Sequence, residues 1–131
     1  MIGSFKANGN VSPSRFVKMD TSGDRLVLQA TAGDKIIGIS QAGTRRAPYS
    51  SLDDGYAAVA GEDLEVFQDD EEPWLEIVAT VAYGDRLKSD ANGKGTPVTA
   101  NNDEWGAVAQ QAGVSGQLIR VLSKPLQQYG A

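Results

Sequence analysis

The chain has 131 residues, 15 of them glycine, with neither cysteine nor histidine and a formal net charge of −5 at pH 7. That length bounds one domain with a real core. Without cysteine there are no disulfides or thiolate metal sites, and without histidine the commonest general base, zinc ligand and partner of a nucleophilic serine are all missing. A catalytic role is therefore not expected.

The charge is unevenly placed. Residues 1–60 hold seven basic and five acidic side chains, whereas residues 61–131 hold five basic and twelve acidic. The acidic half repels phosphate backbones, which argues against a nucleic-acid partner. No apolar run approaches the roughly 20 residues needed to cross a bilayer, so no membrane partner is expected. MIGSFKANGN lacks the continuous apolar stretch of a secretory signal, and the expected place of synthesis is the cytoplasm.

In chain order, residues 1–14 combine Gly3, Asn8, Gly9, Asn10, Ser12 and Pro13 with few apolar anchors, a composition that predicts a flexible N-terminal arm. Strands are expected at 15–19 and 25–30, separated by the turn cluster Asp20–Asp24. A third follows at 35–40, where β-branched Ile36, Ile37 and Ile39 favour extended backbone. Residues 41–61 read as a long irregular loop, in which Ser51–Asp54 could cap one helical turn.

Leu64–Phe67 is a further short strand. The acids Asp69, Asp70, Glu71 and Glu72 read as a solvated tip, since adjacent carboxylates resist burial and their spacing fits no compact calcium loop. Residues 74–81 form the longest strand candidate, with Leu75, Ile77 and Ala79 on one face and Trp74, Glu76 and Val78 on the other. Trp74 and Trp105 each fit either a strand end covering a barrel mouth or a contact with a neighbouring subunit.

A strand opening at 82–87 turns at Asp90–Gly93. Its D-x-N-G step occurs in calcium loops, but the glutamate required at the twelfth position is replaced by Asn101, so a hairpin turn is the reading. A return path begins at Pro97, and strands at 106–109 and 118–122 close the domain before a polar tail at 125–131.

The chain also echoes itself. Ala32–Ile36 matches Tyr83–Leu87 in its Gly-Asp-cation-aliphatic order, and Ile37–Gly43 matches Trp105–Gly113 apart from a small insertion. Two related β-units are the implied content.

Gly33–Ile39, Gly84–Leu87, Asp90–Lys94, Gly106–Ala109 and Gly116–Leu122 together resemble the head decoration, or capsid cement, proteins of tailed bacteriophages. The likeness lies in the placement of glycines, aspartates and aliphatic residues over roughly residues 30–124. It implies a mainly β domain, and with the residue pattern the expected fold is a small single-domain β-barrel or β-sandwich (β-tulip-like) of short hairpins, with a little helix and an extended N-terminal arm. The corresponding domain plan is an arm at 1–14, a decoration domain at 15–124 and a tail at 125–131.

The resemblance further implies a homotrimer on the outer capsid surface of the virion, with the major capsid protein as partner, no cofactor, no metal and no small-molecule substrate. The resemblance marks turns and strands and carries over no capsid contacts. From the residues themselves, 1–16 are expected to order on docking, with Phe5 and Phe16 as apolar anchors and Lys6 and Arg15 meeting coat carboxylates. Trp74 and Trp105 are expected to contact neighbouring subunits.

Two other classes are open at this level. A non-viral binding or adaptor module, possibly carbohydrate-binding, would stack ligand on Tyr49, Tyr56, Trp74 and Trp105. A hydrolase would need cooperating carboxylates, for which Asp53, Asp54 and the 69–72 run are the visible candidates.

Overall fold

The computed structural model describes residues 2–42, 55–69, 71–98 and 103–128. Ten strands carry the fold: β1 (Ile2–Ala7), β2 (Phe16–Met19), β3 (Leu26–Gln29), β4 (Gly38–Ser40), β5 (Asp63–Phe67), β6 (Trp74–Glu76), β7 (Arg86–Ser89), β8 (Gly95–Pro97), β9 (Glu104–Ala109) and β10 (Leu118–Gln128). The first five close a barrel in the order β1-β3-β2-β4-β5, and the last five form a sheet in the order β6-β10-β9-β7-β8. A parallel bridge between Ile77 and Gly95 joins the two edges of that second sheet, so it also curls back on itself. The mainly β architecture is as expected.

The two lobes repeat one another strand for strand. Antiparallel Phe5↔Leu64 between β1 and β5 has its counterpart in Leu75↔Ile119 between β6 and β10. Val17↔Gln29 is repeated as Leu87↔Pro97, Val17↔Gly38 as Leu87↔Ala107, and Ile39↔Phe67 as Val108↔Leu122. Even the irregular pairings recur: parallel Ala7↔Val27 as Ile77↔Gly95, and the bridge Val11↔Ala58 as Val81↔Gly113. β1 to β5 therefore correspond in order to β6 to β10.

Each lobe has an apolar interior built from equivalent positions. Ala7, Val11, Val17, Val27, Leu64 and Val66 fill the first, with Phe5 packed against them. Ile77, Val81, Leu87, Ile119 and Val121 fill the second. Neighbours on a strand face opposite ways, and Val17 points into its own barrel while Phe16 points out of it. Phe16, Ala30, Ile36 and Ile39, from the outside of the first lobe, belong to the second lobe's cluster. One lobe thus completes the core of the other.

A polar seam surrounds that junction. Arg15 Nη2 lies 3.4 Å from Glu76 Oε1, and Lys94 Nζ lies 3.0 Å from Glu76 Oε2. Arg15 Nη1 and Gln29 Nε2 each donate to the Asn92 carbonyl at 2.9 Å, and the Phe16 amide donates to Gly93 O at 2.8 Å. The Glu76 amide donates to Ser14 O at 3.0 Å, closing the seam on the backbone.

Several expectations are corrected. Residues 2–7 are extended but are no flexible arm, because β1 pairs with both β3 and β5 and closes the first barrel. Val11 and Ser14 are buried too, so no boundary falls after residue 14. Sparse apolar anchors misled here, because a strand of a narrow barrel needs only alternate residues inside. The expected strand 74–81 ends at Glu76, with Ile77 crossing over to β8. The strand expected from residue 82 begins at Arg86, after a turn.

The tail expected beyond the core continues β10 to Gln128, where Gln127 and Gln128 pair with Trp105 and Glu104. No helix occurs among the described residues; the helical turn anticipated at 51–54 lies outside them.

Candidate interaction surface

Of the four residues expected to meet the capsid, Phe16 is corrected outright. At 0% exposure it has no surface to offer a partner, because it fills the junction between lobes. Arg15 is turned inward onto Glu76 and Asn92, and its Nε is buried with no hydrogen-bond partner. Phe5 is half-buried beneath the Arg25 guanidinium, 4.3 Å from its ring centroid. Lys6 is exposed on β1. The four do not make one surface.

The two tryptophans fare differently. Trp74 is 38% exposed at the start of β6, with Arg120 Cζ 4.8 Å above its ring. Trp105 is half-buried on β9, with Arg86 Cζ 5.4 Å from its centroid. Register sets Trp74 opposite Arg120 and Glu76 opposite Leu118 on the outer side of the β6–β10 pair. Val78 and Val114 flank this pair, since the Ile77 amide donates to Gln117 O and Val81 bridges Gly113. Val78, Val114 and Leu118 are all exposed.

A band of exposed apolar side chains is therefore concentrated on one face of the second lobe. The first lobe carries the same face with different chemistry: Ser4, Lys6, Asn8, Asp63 and Glu65 stand at the positions of Trp74, Glu76, Val78, Leu118 and Arg120. The scaffold does not demand the apolar residues, because the same pairing holds without them. Trp74, Glu76 and Val78 were readable as one face from their alternation. Leu118 and Val114 were not, since their membership depends on pairing distant in sequence.

Asp90 is used up in its turn: Oδ1 accepts the amides of Asn92 and Lys94, both at 2.8 Å. Among the described residues no cluster of acids could hold a metal ion. Asp69 lies 3.8 Å from Lys124, while Tyr49, Asp53, Asp54 and Asp70 fall outside the described residues.

Two carboxylates have depressed pKa values. Burial pushes Asp34 upward, but hydrogen bonds from the Thr31 hydroxyl and amide, with the Lys18 ammonium at 3.1 Å, more than offset it. Asp20 is lowered chiefly by Asn8 and then by Ser22. Both interactions close local structure around the β2–β3 and β3–β4 connections.

The fold is thus a tandem of matched β-lobes with an apolar outer face on one of them. No protein-family model matches the chain, and no curated protein matches it. Among solved structures it is similar to the head fiber gp8.5 N base in bacteriophage phi29, with a TM-score of 0.61 and 15% identity over 98% of each chain. A phage head fiber base therefore shares this fold over 98% of its compared chain. At that identity the likeness is one of fold.

Proposed function

We propose that the protein is a non-catalytic structural component of a phage virion, which docks as an oligomer on the outer surface of the capsid and stabilises the expanded head. The observation that carries this reading is the likeness in fold to the N base of a head fiber over 98% of each chain. The resemblance of residues 30–124 to capsid decoration proteins points the same way. The major capsid protein is the proposed partner, and a homotrimer the proposed form. An oligomer bridging several coat subunits stabilises a shell by mass action and multivalency.

The apolar band on β6 and β10 is the proposed capsid-facing surface. Trp74 supplies a large rigid ring held by Arg120, and Leu118 extends the apolar area beside it. Co-sedimentation with expanded heads lacking the protein tests this directly. The wild type is expected to pellet saturably with the heads. Trp74→Ala combined with Leu118→Asp is expected to reduce occupancy at least tenfold, as loss of a central aromatic anchor does, with the thermal midpoint unchanged. Equal pelleting of both proteins would remove this face from the proposal; failure of the wild type to pellet would remove the capsid as partner.

A further inference from the structure

From the internal repeat we infer that copies of this chain associate head to tail, the face of the second lobe that bears Arg86, Val98 and Val108, distinct from the Trp74–Leu118 band, docking on the first lobe of the next copy much as the first lobe docks on the second within one chain. This refines the oligomer proposed above and rests on that reading only for the existence of an oligomer, not for the capsid.

The lobe junction has two halves, and the positions of each recur on the other lobe, where no described lobe of the same chain docks on them. Within the chain, the first lobe contributes the outer face bearing Phe16, Ala30 and Ile39, which is buried. The matching positions on the second lobe are Arg86, Val98 and Val108. There they line an open cavity of about 460 Å³ together with Gly84, Asp85 and Pro97. The other half is the end of the second lobe that receives Phe16. Its equivalent on the first lobe is partly covered by Arg25, whose guanidinium lies 4.3 Å from the Phe5 ring centroid, and Phe5, Met19, Arg25 and Leu26 line a cavity of about 260 Å³ there. Covered Ser89 is 3% exposed, whereas its counterpart Met19 is 56% exposed. A methionine at that position offers adaptable apolar area to a partner.

The charges at the two halves match as well. Arg15 and Glu76 form the ion pair across the junction within the chain. The residue equivalent to Arg15, preceding β7 instead of β2, is Asp85; the residue equivalent to Glu76, on β1 instead of β6, is Lys6. Both signs are reversed, so the pair stays complementary when the second lobe of one copy meets the first lobe of the next. Neither Lys6 nor Asp85 is ion-paired to another described residue.

One feature of the intramolecular junction is not repeated. The connection from β2 to β3 carries the additional Asp24 and Arg25, and Arg25 O takes the Lys6 amide at 2.9 Å. That is the place which Ser14 O takes on the Glu76 amide. The contact between chains therefore rests on side chains, and it is weaker than the junction it imitates. Head-to-tail contacts make a ring when the rotation closes, and a closed ring of three chains would place six lobes around one axis.

Charge exchange tests the pairing. Sedimentation velocity over a concentration series is expected to show self-association of the wild type. Lys6→Glu and Asp85→Lys should each weaken it about tenfold, and the double variant should restore it, as a close charge pair across an interface requires. Because Asp85 Oδ2 also accepts the Ala82 amide in its turn, Asp85→Asn with Lys6→Gln serves as a milder pair that keeps the fold. These two milder variants should each weaken association without a change in thermal midpoint. Association that is indifferent to both pairs would overturn this interface while leaving the oligomer intact. A wild type that is monomeric at every concentration would overturn both.

Discussion

Asp34 shows how single side chains hold the connections of this fold. Its carboxylate accepts the Thr31 amide at 2.8 Å and the Thr31 hydroxyl at 2.6 Å while pairing with Lys18. A carboxyl held below its ordinary 3.8 stabilises the fold above that value, and the stabilisation is lost as pH falls through the depressed folded value. Asp34→Asn is accordingly expected to lower stability at neutral pH and to flatten the acid limb. Urea midpoints measured from about pH 5 down to about pH 2 check this; a limb of unchanged steepness would contradict it.

Gly84 is the second residue whose conformation sets a connection. Its φ of 90° lies in the left-handed region, although a Cβ there would meet open space. Gly84→Ala should therefore cost roughly 1–2 kcal/mol through backbone strain alone, measurable by denaturant unfolding. Ser14, at the equivalent position, bears that strain with φ 55°, and its carbonyl receives the Glu76 amide across the junction.

Among the elements, β2 matters most, because its two faces serve different cores. Val17 fills the first lobe and Phe16 completes the second. Phe16→Ala is expected to cost about 3–5 kcal/mol, the range for deleting a buried aromatic ring, and to unfold both lobes in one transition. Two separated transitions in calorimetry would show that the lobes are independent. At Gly106, on β9, a Cβ would overlap Ile36 of the first lobe, so Gly106→Ala should force the lobes apart and lower the same transition.

Strands marked by short apolar stretches between turn residues were legible in the sequence: β2, β3, β5, β9 and the start of β10 lie where the pattern puts them. β1 was not, because its role depends on pairing with β5 some sixty residues on, and Gly3, Asn8 and Gly9 mimic a loosely held arm. The repeat was half legible. The match of Ile37–Gln41 to residues 105–110 falls on the equivalent strands β4 and β9. The match of Ala32–Ile36 to Tyr83–Leu87 does not, since Tyr83 stands where Pro13 stands. What those segments share is a local turn: Asp34 and Asp85 each accept the amide three residues before, with a left-handed glycine between. Local turn chemistry recurs freely, so it is a poor guide to which strands are duplicates.

For the molecule as a whole, duplication explains both its economy and its asymmetry. One register, used twice, gives two lobes that complete a common core, and the residues free to differ lie on the outside. The second lobe has spent that freedom on Trp74, Val78 and Leu118, where the first has Ser4, Asn8 and Asp63. An apolar face that the scaffold does not require is the mark of a surface kept for a partner. Reconstruction by electron microscopy of expanded heads, prepared without the protein and then saturated with it, is the most direct measurement. Discrete density for both lobes on the outer shell, with the β6–β10 face toward the coat, is the predicted result. Heads identical with and without the added protein would contradict a role on the capsid surface.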